Sequence, residues 1–364
     1  MVINYGNYHV ESQDLCPCGS GVIYSECCKK KDNTVFVKSY NKCPKGYRIA
    51  KVEDLERNKM CLYPGCCKCG QDIINSHAIQ KNKILIKISE NNKVVMPNSE
   101  RNFLNVFGKP IHIKKATTFN GFCNEHDKIV FQDIEDCLFS GTQKQVFLYC
   151  YRAFTYEYIL KIYLLNLYQN LFKNCPSKIN DNDFMNALFR CKAGVEEFKR
   201  NKIFFDEALL SGHYDIFESI IWEWDYPINF CFTGYQALDS DFDGNFIQHM
   251  IFYNNEVAHL YFMCFPEEDK SYSIIGVLKN HYNLYESTFD KLKALGKGER
   301  INYLNNVALA TTDNLAISPS SWDKLRNKQK DILVEKYKER TDLYPSVSFI
   351  REWFNPTPYN LFEI

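Results

Sequence analysis

The longest apolar pattern in the chain begins at Gln143, where aromatic and aliphatic residues recur through one run without glycine or proline. This pattern predicts a largely buried helix that ends before Cys175. A second helical pattern begins near Asn182 and is expected to continue, with a break after Ser211, to about Trp224. We expect these two helices to pair in antiparallel orientation.

Shorter segments rich in branched or aromatic residues predict β-strands. Residues 83–88 form one of them, and Asn91 and Asn92 then provide a turn. Beyond Pro227, residues 228–232 and 256–263 are also strand-like, and helical patterns follow at 284–294 and 320–339. These elements predict an α+β fold.

The composition is that of a folded protein with more than one packed unit. The chain has 364 residues, of which 45% are apolar and 15% are aromatic, and this provides material for two or three cores. No apolar run reaches the roughly 18–20 residues that span a bilayer, and the first residues lack a signal-peptide pattern. We therefore expect a cytoplasmic protein without a membrane partner.

Charge is distributed unevenly along the chain. Residues 1–140 contain 20 Lys or Arg and 15 Asp or Glu residues, whereas residues 141–364 contain 24 and 29. The excess of positive charge in the first part favours an anionic partner such as nucleic acid. Lysines at positions 81, 83, 87, 114 and 115 are candidates to line a phosphate path, although such lysines can also serve only to solvate a surface.

Four cysteines near the N-terminus carry the clearest chemical signal. Cys16, Cys18, Cys27 and Cys28 lie within 13 positions that also contain turn-forming glycines. This segment is too short to form a core by itself, and four thiolates are a complete tetrahedral ligand set for zinc. We therefore predict a closed structural zinc site, which leaves no position open for a substrate.

This spacing, together with Pro17 and the sequence Gly19-Ser20-Gly21, resembles the SEC-C motif, a small zinc module attached to many bacterial proteins. The resemblance implies that the four cysteines bind zinc and that the module docks onto other macromolecules. The alternative is that the ion only stabilises a small fold.

A second metal-binding group is predicted from two separated pairs of residues. Cys61 and Cys66 flank a Pro-Gly turn, and Cys123 and His126 follow more than fifty residues later. Two such pairs often share one zinc ion. Cys67 and Cys69 are alternatives to Cys66, because Cys66 and Cys69 also have ligand spacing.

Between the two pairs, two isoleucines lead into Asn75-Ser76-His77. This layout resembles the HNH or His-Me finger nucleases, which are built on a ββα-metal unit, and the likeness covers roughly residues 60–136. It implies that His77 is the general base and that Asp127 holds a catalytic Mg²⁺ or Mn²⁺ ion. Asn120 is expected to orient His77 through a hydrogen bond.

Ser76 departs from the family pattern, which usually has an acidic residue or a histidine at this position. His77 has two alternative roles, as a zinc ligand or as a hydrogen-bonded structural histidine. Arg152 and Glu157 lie in the apolar helix at a spacing that does not bring them together, and we expect each to pair with another element.

We therefore predict four segments: a zinc module at 1–34, an HNH-like zinc domain at 43–140, a helical region at 141–225 and an α+β domain at 226–364. The expected function is metal-dependent hydrolysis of nucleic acid, with DNA favoured, and the resemblance suggests a role in defence against phage or mobile elements. The alternative is a non-catalytic zinc adaptor that docks a protein or nucleic acid through its zinc modules and its aromatic-rich C-terminal region.

Overall fold

A computed structural model of the chain describes residues 9–31, 59–65, 72–97, 107–249, 256–312, 314–341 and 353–364. Helices and strands largely occupy separate stretches of these residues, and the predicted α+β class is confirmed. None of the described helices combines the length and the apolar character needed to cross a membrane.

Seven helices are used in the following description. They are α1 (Asn124–Glu135), α2 (Gln143–Asn174), α3 (Asn182–Ser211), α4 (Tyr282–Ala294), α5 (Lys297–Ala310), α6 (Pro319–Lys324) and α7 (Asn327–Thr341). The strands are β1 (Ser76–His77), β2 (Lys93–Val94), β3 (Ile111–His112), β4 (Thr118–Phe119), β5 (Phe217–Trp224), β6 (Phe230–Gln236), β7 (Leu260–Pro266), β8 (Ser271–Leu278) and β9 (Leu315–Ile317).

The chain divides into two compact units. The first unit contains Met1–Met60, Tyr158–Ile203 and Ile251–Glu256, of which 9–31, 59–60, 158–203 and 256 are described. The second unit contains Cys61–Glu157, Phe204–Met250 and Val257–Ile364. The division into four segments stays a prediction.

In the first unit, the C-terminal part of α2 packs against α3. The Tyr158 ring lies 5.9 Å from the Phe198 ring, and Tyr168 lies 5.3 Å from Phe184. Positions that increase along α2 therefore meet positions that decrease along α3, which confirms the antiparallel pairing for these residues.

The second unit contains a five-stranded antiparallel sheet in the order β5-β8-β7-β6-β9. Its core combines side chains of the strands with those of α4 and α5, and Trp353, Tyr359 and Leu361 add to it from the last described segment. A turn follows β6, in which the Asp241 carboxylate accepts hydrogen bonds from the backbone N–H groups of Asp243 and Asn245.

The N-terminal part of α2 also belongs to the second unit and lies close to β8. A Cβ atom placed on Gly276 would be 2.9 Å from the Cys150 sulfur and 3.3 Å from the Phe217 ring. Gly276 therefore allows the close approach of α2 to this strand.

The prediction of a strand at residues 83–88 is wrong. A π-helical turn covers Lys81–Leu85, and one α-helical turn follows at Ile86–Ile88. Ile84, Leu85 and Ile88 are buried whereas Ile86 is exposed, a helical spacing that the short apolar run did not distinguish from a strand. The turn expected at Asn91 and Asn92 is confirmed, since both have positive φ angles of 50° and 57°.

The prediction that the second helix continues to Trp224 is also wrong, because α3 ends at Ser211. Gly212 has φ 73° and its N–H donates to the Ala208 carbonyl, which is a glycine helix terminus. Ile220, Trp222 and Trp224 are buried with exposed residues between them, and this two-residue period belongs to β5.

Candidate metal centres and the His77 site

The first cysteine cluster lies in the first unit and gathers all four predicted ligands. The sulfur atoms of Cys16, Cys18, Cys27 and Cys28 all lie within 4.8 Å of one another. The Cys18 sulfur is 3.6 Å from that of Cys27, which is 3.9 Å from that of Cys28. This set can hold a zinc ion, and it is compatible with a SEC-C-like motif.

Local backbone hydrogen bonds explain why so short a segment brings the thiols together. The Cys16 N–H donates to the Val22 carbonyl at 2.8 Å, and the Gly19 N–H donates back to the Cys16 carbonyl at 3.1 Å. Gly19 and Gly21 have φ angles of 77° and 75°, which other residues adopt only at a cost in energy. The turns therefore depend on glycine.

The thiols differ in acidity because their surroundings differ. Burial alone would raise the pKa of Cys18, but hydrogen bonds from Ser20 and Cys16 outweigh it and lower that pKa to about 7. Burial and the neighbouring Cys16 thiol raise the pKa of Cys28 well above its usual value. Converting all four to thiolates therefore requires a compensating cation, and a bound metal ion supplies one.

The cluster rests on side chains of α2 and α3. Cys16, Cys18 and Cys28 are buried together with Phe172, and Tyr24 lies 6.4 Å from the Phe172 ring. Three residues of α3 complete this small core, namely Phe184, Met185 and Leu188.

The second group lies in the second unit and contains three of its four predicted ligands. The ligand atoms of Cys61, Cys123 and His126 lie within 4.8 Å of one another, so the group can hold zinc. His126 Nδ1 is 3.1 Å from the Cys123 sulfur and 3.4 Å from the Cys61 sulfur. Cys66, with its alternatives Cys67 and Cys69, lies outside the described residues.

Two chain segments form this group. The Leu62 N–H donates to the Gly121 carbonyl at 2.9 Å, which places Cys61 beside Cys123. Cys123 directly precedes α1 and His126 lies in its first turn. The His126 ring also stacks on Tyr63, with 4.1 Å between the ring centroids.

His77 is held on the short β1–β4 ladder, where it lies opposite Thr118. Its Nε2 atom is 3.0 Å from the Ile113 carbonyl oxygen. A carbonyl only accepts, so the hydrogen is on Nε2 and the lone pair of the neutral ring is on Nδ1. Burial lowers the pKa of His77, which favours this neutral form.

Asn120 does not make the expected hydrogen bond to His77. Its side-chain amide donates instead to the Ile74 carbonyl at 3.1 Å and to the Asn75 side chain at 2.8 Å. Asn120 therefore fixes the backbone just before His77. Ser76 is buried and its hydroxyl has no hydrogen-bond partner among the described residues.

Asp127 lies beside a buried arginine. The guanidinium of Arg152 is 3.9 Å from Asp127 Oδ1 and donates to Glu135 at 2.6 Å. It also lies 4.1 Å from the centre of the Phe131 ring. Asp127 thus has a cationic protein neighbour, and neither Asp127 nor His77 belongs to a group of three possible metal ligands within the described residues. Its role in holding a catalytic cation stays a prediction.

Arg152 pairs with a residue of another element, as expected from the sequence. Only 2% of it is exposed, and its Nε and Nη1 atoms have no hydrogen-bond partner among the described residues. A single arginine among the mainly apolar residues of α2 was the available signal for a buried ion pair. Its partner Glu135 belongs to α1, and the spacing within α2 could not have identified it.

The C-terminal end of α1 is held by residues that follow His77. Gln80 donates to the Ile134 carbonyl at 2.6 Å, and Lys83 donates to the same oxygen at 3.3 Å. Lys83 also bonds to the Cys137 carbonyl and lies 3.4 Å from Glu267. A cation at the last turn of a helix stabilises its free carbonyl groups.

The chain matches no protein-family model, no curated protein and no solved structure. The two resemblances described above therefore rest on the motifs of this sequence and on the positions of their residues.

Proposed function

We propose that the chain hydrolyses phosphodiester bonds of nucleic acid, with His77 as the general base. The observation that carries this proposal is the hydrogen bond from His77 Nε2 to the Ile113 carbonyl, which leaves Nδ1 as a proton acceptor. Along the chain, β1 with His77 and its partner strand β4 are followed by Cys123 and then by α1 with His126 in its first turn, an order that resembles that of a ββα-metal unit.

The chemistry assigned to His77 is a single proton transfer. Nδ1 takes a proton from a water molecule, whose oxygen forms a bond to phosphorus while the bond to the leaving oxygen breaks. The leaving oxygen keeps the bonding electron pair and takes a proton from solvent. The hydrogen bond to Ile113 stabilises the imidazolium that results.

Zinc at the two cysteine-containing groups would be structural in this proposal. Thiolate ligands donate charge to the ion and make it a weak Lewis acid, so neither group is assigned a step in the reaction. Among the described residues only Asp127 is a candidate ligand for the Mg²⁺ or Mn²⁺ ion of the family, and oxygen atoms of the substrate would have to complete its coordination.

The test compares the wild-type chain with the variants His77→Ala and His77→Gln on plasmid DNA and on RNA, with added Mg²⁺ or Mn²⁺. Both variants should lose cleavage and keep the zinc content of the wild type. His213→Ala, which replaces an exposed histidine of the same unit, is the matched control and should cleave normally. Equal cleavage by wild type and His77→Ala would refute the proposal.

A second candidate function is that of a non-catalytic adaptor, which docks through its first zinc module. Two apolar side chains of that module favour it, because Leu15 is 61% and Val22 is 43% exposed. Ser76 also favours it, since a buried hydroxyl replaces the metal ligand of the nuclease family. If zinc-loaded wild type cleaves neither substrate under any of these conditions, the adaptor function replaces the nuclease.

A further inference from the structure

The turn between β3 and β4 is fixed to the segment that contains His77. At its start, the Ile113 carbonyl accepts the hydrogen bond from His77. At its end, the Thr117 carbonyl accepts from the Ala78 N–H at 2.8 Å, and the Thr117 hydroxyl pairs with the backbone of Ile79 at 3.3 Å. Residues 113–117 therefore lie directly beside residues 77–79.

This turn buries some of its side chains and exposes its two lysines. Ile113, Ala116 and Thr117 are buried, with 4% of their surface exposed or less. Lys114 and Lys115 between them are exposed. The buried side chains anchor the turn, and the two ammonium groups extend into solvent on its outer side.

Two further basic side chains come from the neighbouring β2–β3 ladder. Lys93 lies directly opposite His112, so both side chains project from the same face of the ladder. The next position along β2 is Val94, which is fully buried on the opposite face. His112 Nδ1 accepts the Lys114 N–H at 3.1 Å, which leaves its Nε2 as a hydrogen-bond donor. We call Lys93, His112, Lys114 and Lys115 the basic patch.

Little negative charge balances this patch. Residues 78–120 contain eight Lys or Arg and only two Asp or Glu residues. One of the two, Glu90, accepts hydrogen bonds from the Ser318 hydroxyl at 2.6 Å and the Ser320 N–H at 2.9 Å. Within the described part of the chain, Lys93, Lys114 and Lys115 form no ion pair.

We propose that the basic patch binds the phosphate backbone of nucleic acid next to His77. This deepens the proposed nuclease function and rests on it for the choice of ligand. Ammonium groups and an imidazole N–H contact phosphate oxygens without reading bases, so the binding is independent of sequence. Lys83, also a candidate from the sequence, is excluded because it is bonded to α1 and Glu267.

The experiment measures binding without cleavage. Every protein carries His77→Gln, no divalent cation is added, and fluorescence anisotropy follows a labelled 20-nucleotide single-stranded DNA, its duplex and the corresponding RNA at several salt concentrations. The triple variant Lys93→Ala/Lys114→Ala/Lys115→Ala should bind at least about tenfold more weakly near 0.1 M salt. The slope of the logarithm of the binding constant against the logarithm of the salt concentration should become about 2 less negative.

The matched control is Lys192→Ala/Lys328→Ala, which removes two exposed lysines outside the patch. It should bind like the parent protein, and circular dichroism and zinc content should be unchanged in every variant. Equal weakening in control and triple variant, no effect of the triple variant, or no binding by the parent would overturn the inference. Polyglutamate that binds as tightly as DNA through the same lysines would also overturn it, because the partner would then be an acidic protein.

The outcomes for the two proposals are separate. Binding that depends on the patch, combined with no cleavage by a protein that retains His77, refutes the nuclease function alone. Cleavage that depends on His77 but not on the three lysines refutes the basic patch alone.

Discussion

The two metal-binding groups differ in how far apart their ligands lie in the sequence. The ligands of the first cluster lie within 13 consecutive positions and are brought together by turns at Gly19 and Gly21. Those of the second come from two segments, with Cys61 joined to Cys123 and His126 by pairing across the fold. The first site can therefore form with its own short segment, whereas the second requires a large part of its unit to be folded.

The chemical surroundings differ as well. The first cluster has four sulfur ligands and a small apolar core, whereas the second is followed directly by Asp127 and lies in the same unit as His77 and Arg152. A closed thiolate site stabilises structure, whereas His77, which can transfer a proton, lies in the unit that contains the second site. Function is therefore expected in the second unit.

The largest effect should come from Cys28→Ser. Loss of one of four ligands should release one zinc equivalent and abolish hydrogen-exchange protection in residues 9–31, because structural zinc contributes roughly 10–16 kcal/mol to such modules. Mass spectrometry of the metal and of amide exchange measures both. Cys175→Ser, which replaces a buried thiol outside the cluster, should retain the metal. Loss of both zinc equivalents would show that the two sites are not independent.

Cys123→Ser should affect a longer stretch of chain. A link across about 60 residues restricts the unfolded chain by about 4 kcal/mol in the loop-closure model, and loss of the metal removes that term. We expect a lower free energy of unfolding and faster exchange in β1, β4 and α1, measured by urea titration and amide exchange. Cys137→Ser, at an exposed thiol, is the control. Faster exchange confined to residues 121–126 would contradict the view that the second site depends on a large part of its unit.

Arg152→Met tests whether the charges beside the second group contribute to stability. Removal of the guanidinium leaves Asp127 Oδ1 buried without its cationic neighbour, so the free energy of unfolding should fall by about 3 kcal/mol. Arg152→Lys keeps the positive charge, so its free energy of unfolding should fall by less than that of Arg152→Met. Urea unfolding of the three proteins at pH 7 gives the comparison, and an unchanged midpoint for Arg152→Met would contradict it.

Gly19→Ala and Gly21→Ala form a matched pair in the first module. Both positions have positive φ, so each alanine should destabilise the module by about 1–2 kcal/mol. Only at position 19 would the new Cβ meet another side chain, at 2.6 Å from the Gln169 amide. A larger loss of protection in Gly19→Ala would show that the module packs on α2 in solution, and an unchanged protection in both variants would contradict the dependence of these turns on glycine.

The smallest effect should be the pH dependence contributed by His77. Burial lowers its pKa in the folded chain, so the unfolded chain binds a proton more readily. Its contribution to stability is therefore present above about pH 6.5 and is lost as pH falls through the lowered folded pKa. His77→Gln should reduce the difference in unfolding free energy between pH 7.5 and pH 5. If this difference is the same in His77→Gln and in the wild type, groups other than His77 cause the pH dependence.

Short-range patterns predicted the first cluster and the long helix. The spacing of Cys16, Cys18, Cys27 and Cys28 was sufficient because nearby turns alone bring the ligands together. The run from Gln143 contains no helix-breaking residue before Pro176, and α2 ends at Asn174. Both predictions depend on neighbours in sequence.

Long-range contacts could not be predicted in the same way. The partner of His77 is the backbone carbonyl of Ile113, which has no sequence signature, and a helix and a hairpin lie between the two residues. The short apolar run at 83–88 was ambiguous because its length fits either a strand or a helical turn. The burial of Ile84, Leu85 and Ile88 in the folded unit follows the spacing of a helix, and this burial depends on contacts that the sequence does not show.

The close approach of α2 to β8 at Gly276 has an evolutionary consequence. Because the Cys150 sulfur would lie 2.9 Å from a Cβ at position 276, the two positions share one small volume. Related chains should therefore vary at these positions together: a larger residue at 276 should accompany Gly or Ala at 150. A chain that enlarged both would have to move α2 away from the sheet, and Arg152 would move with it.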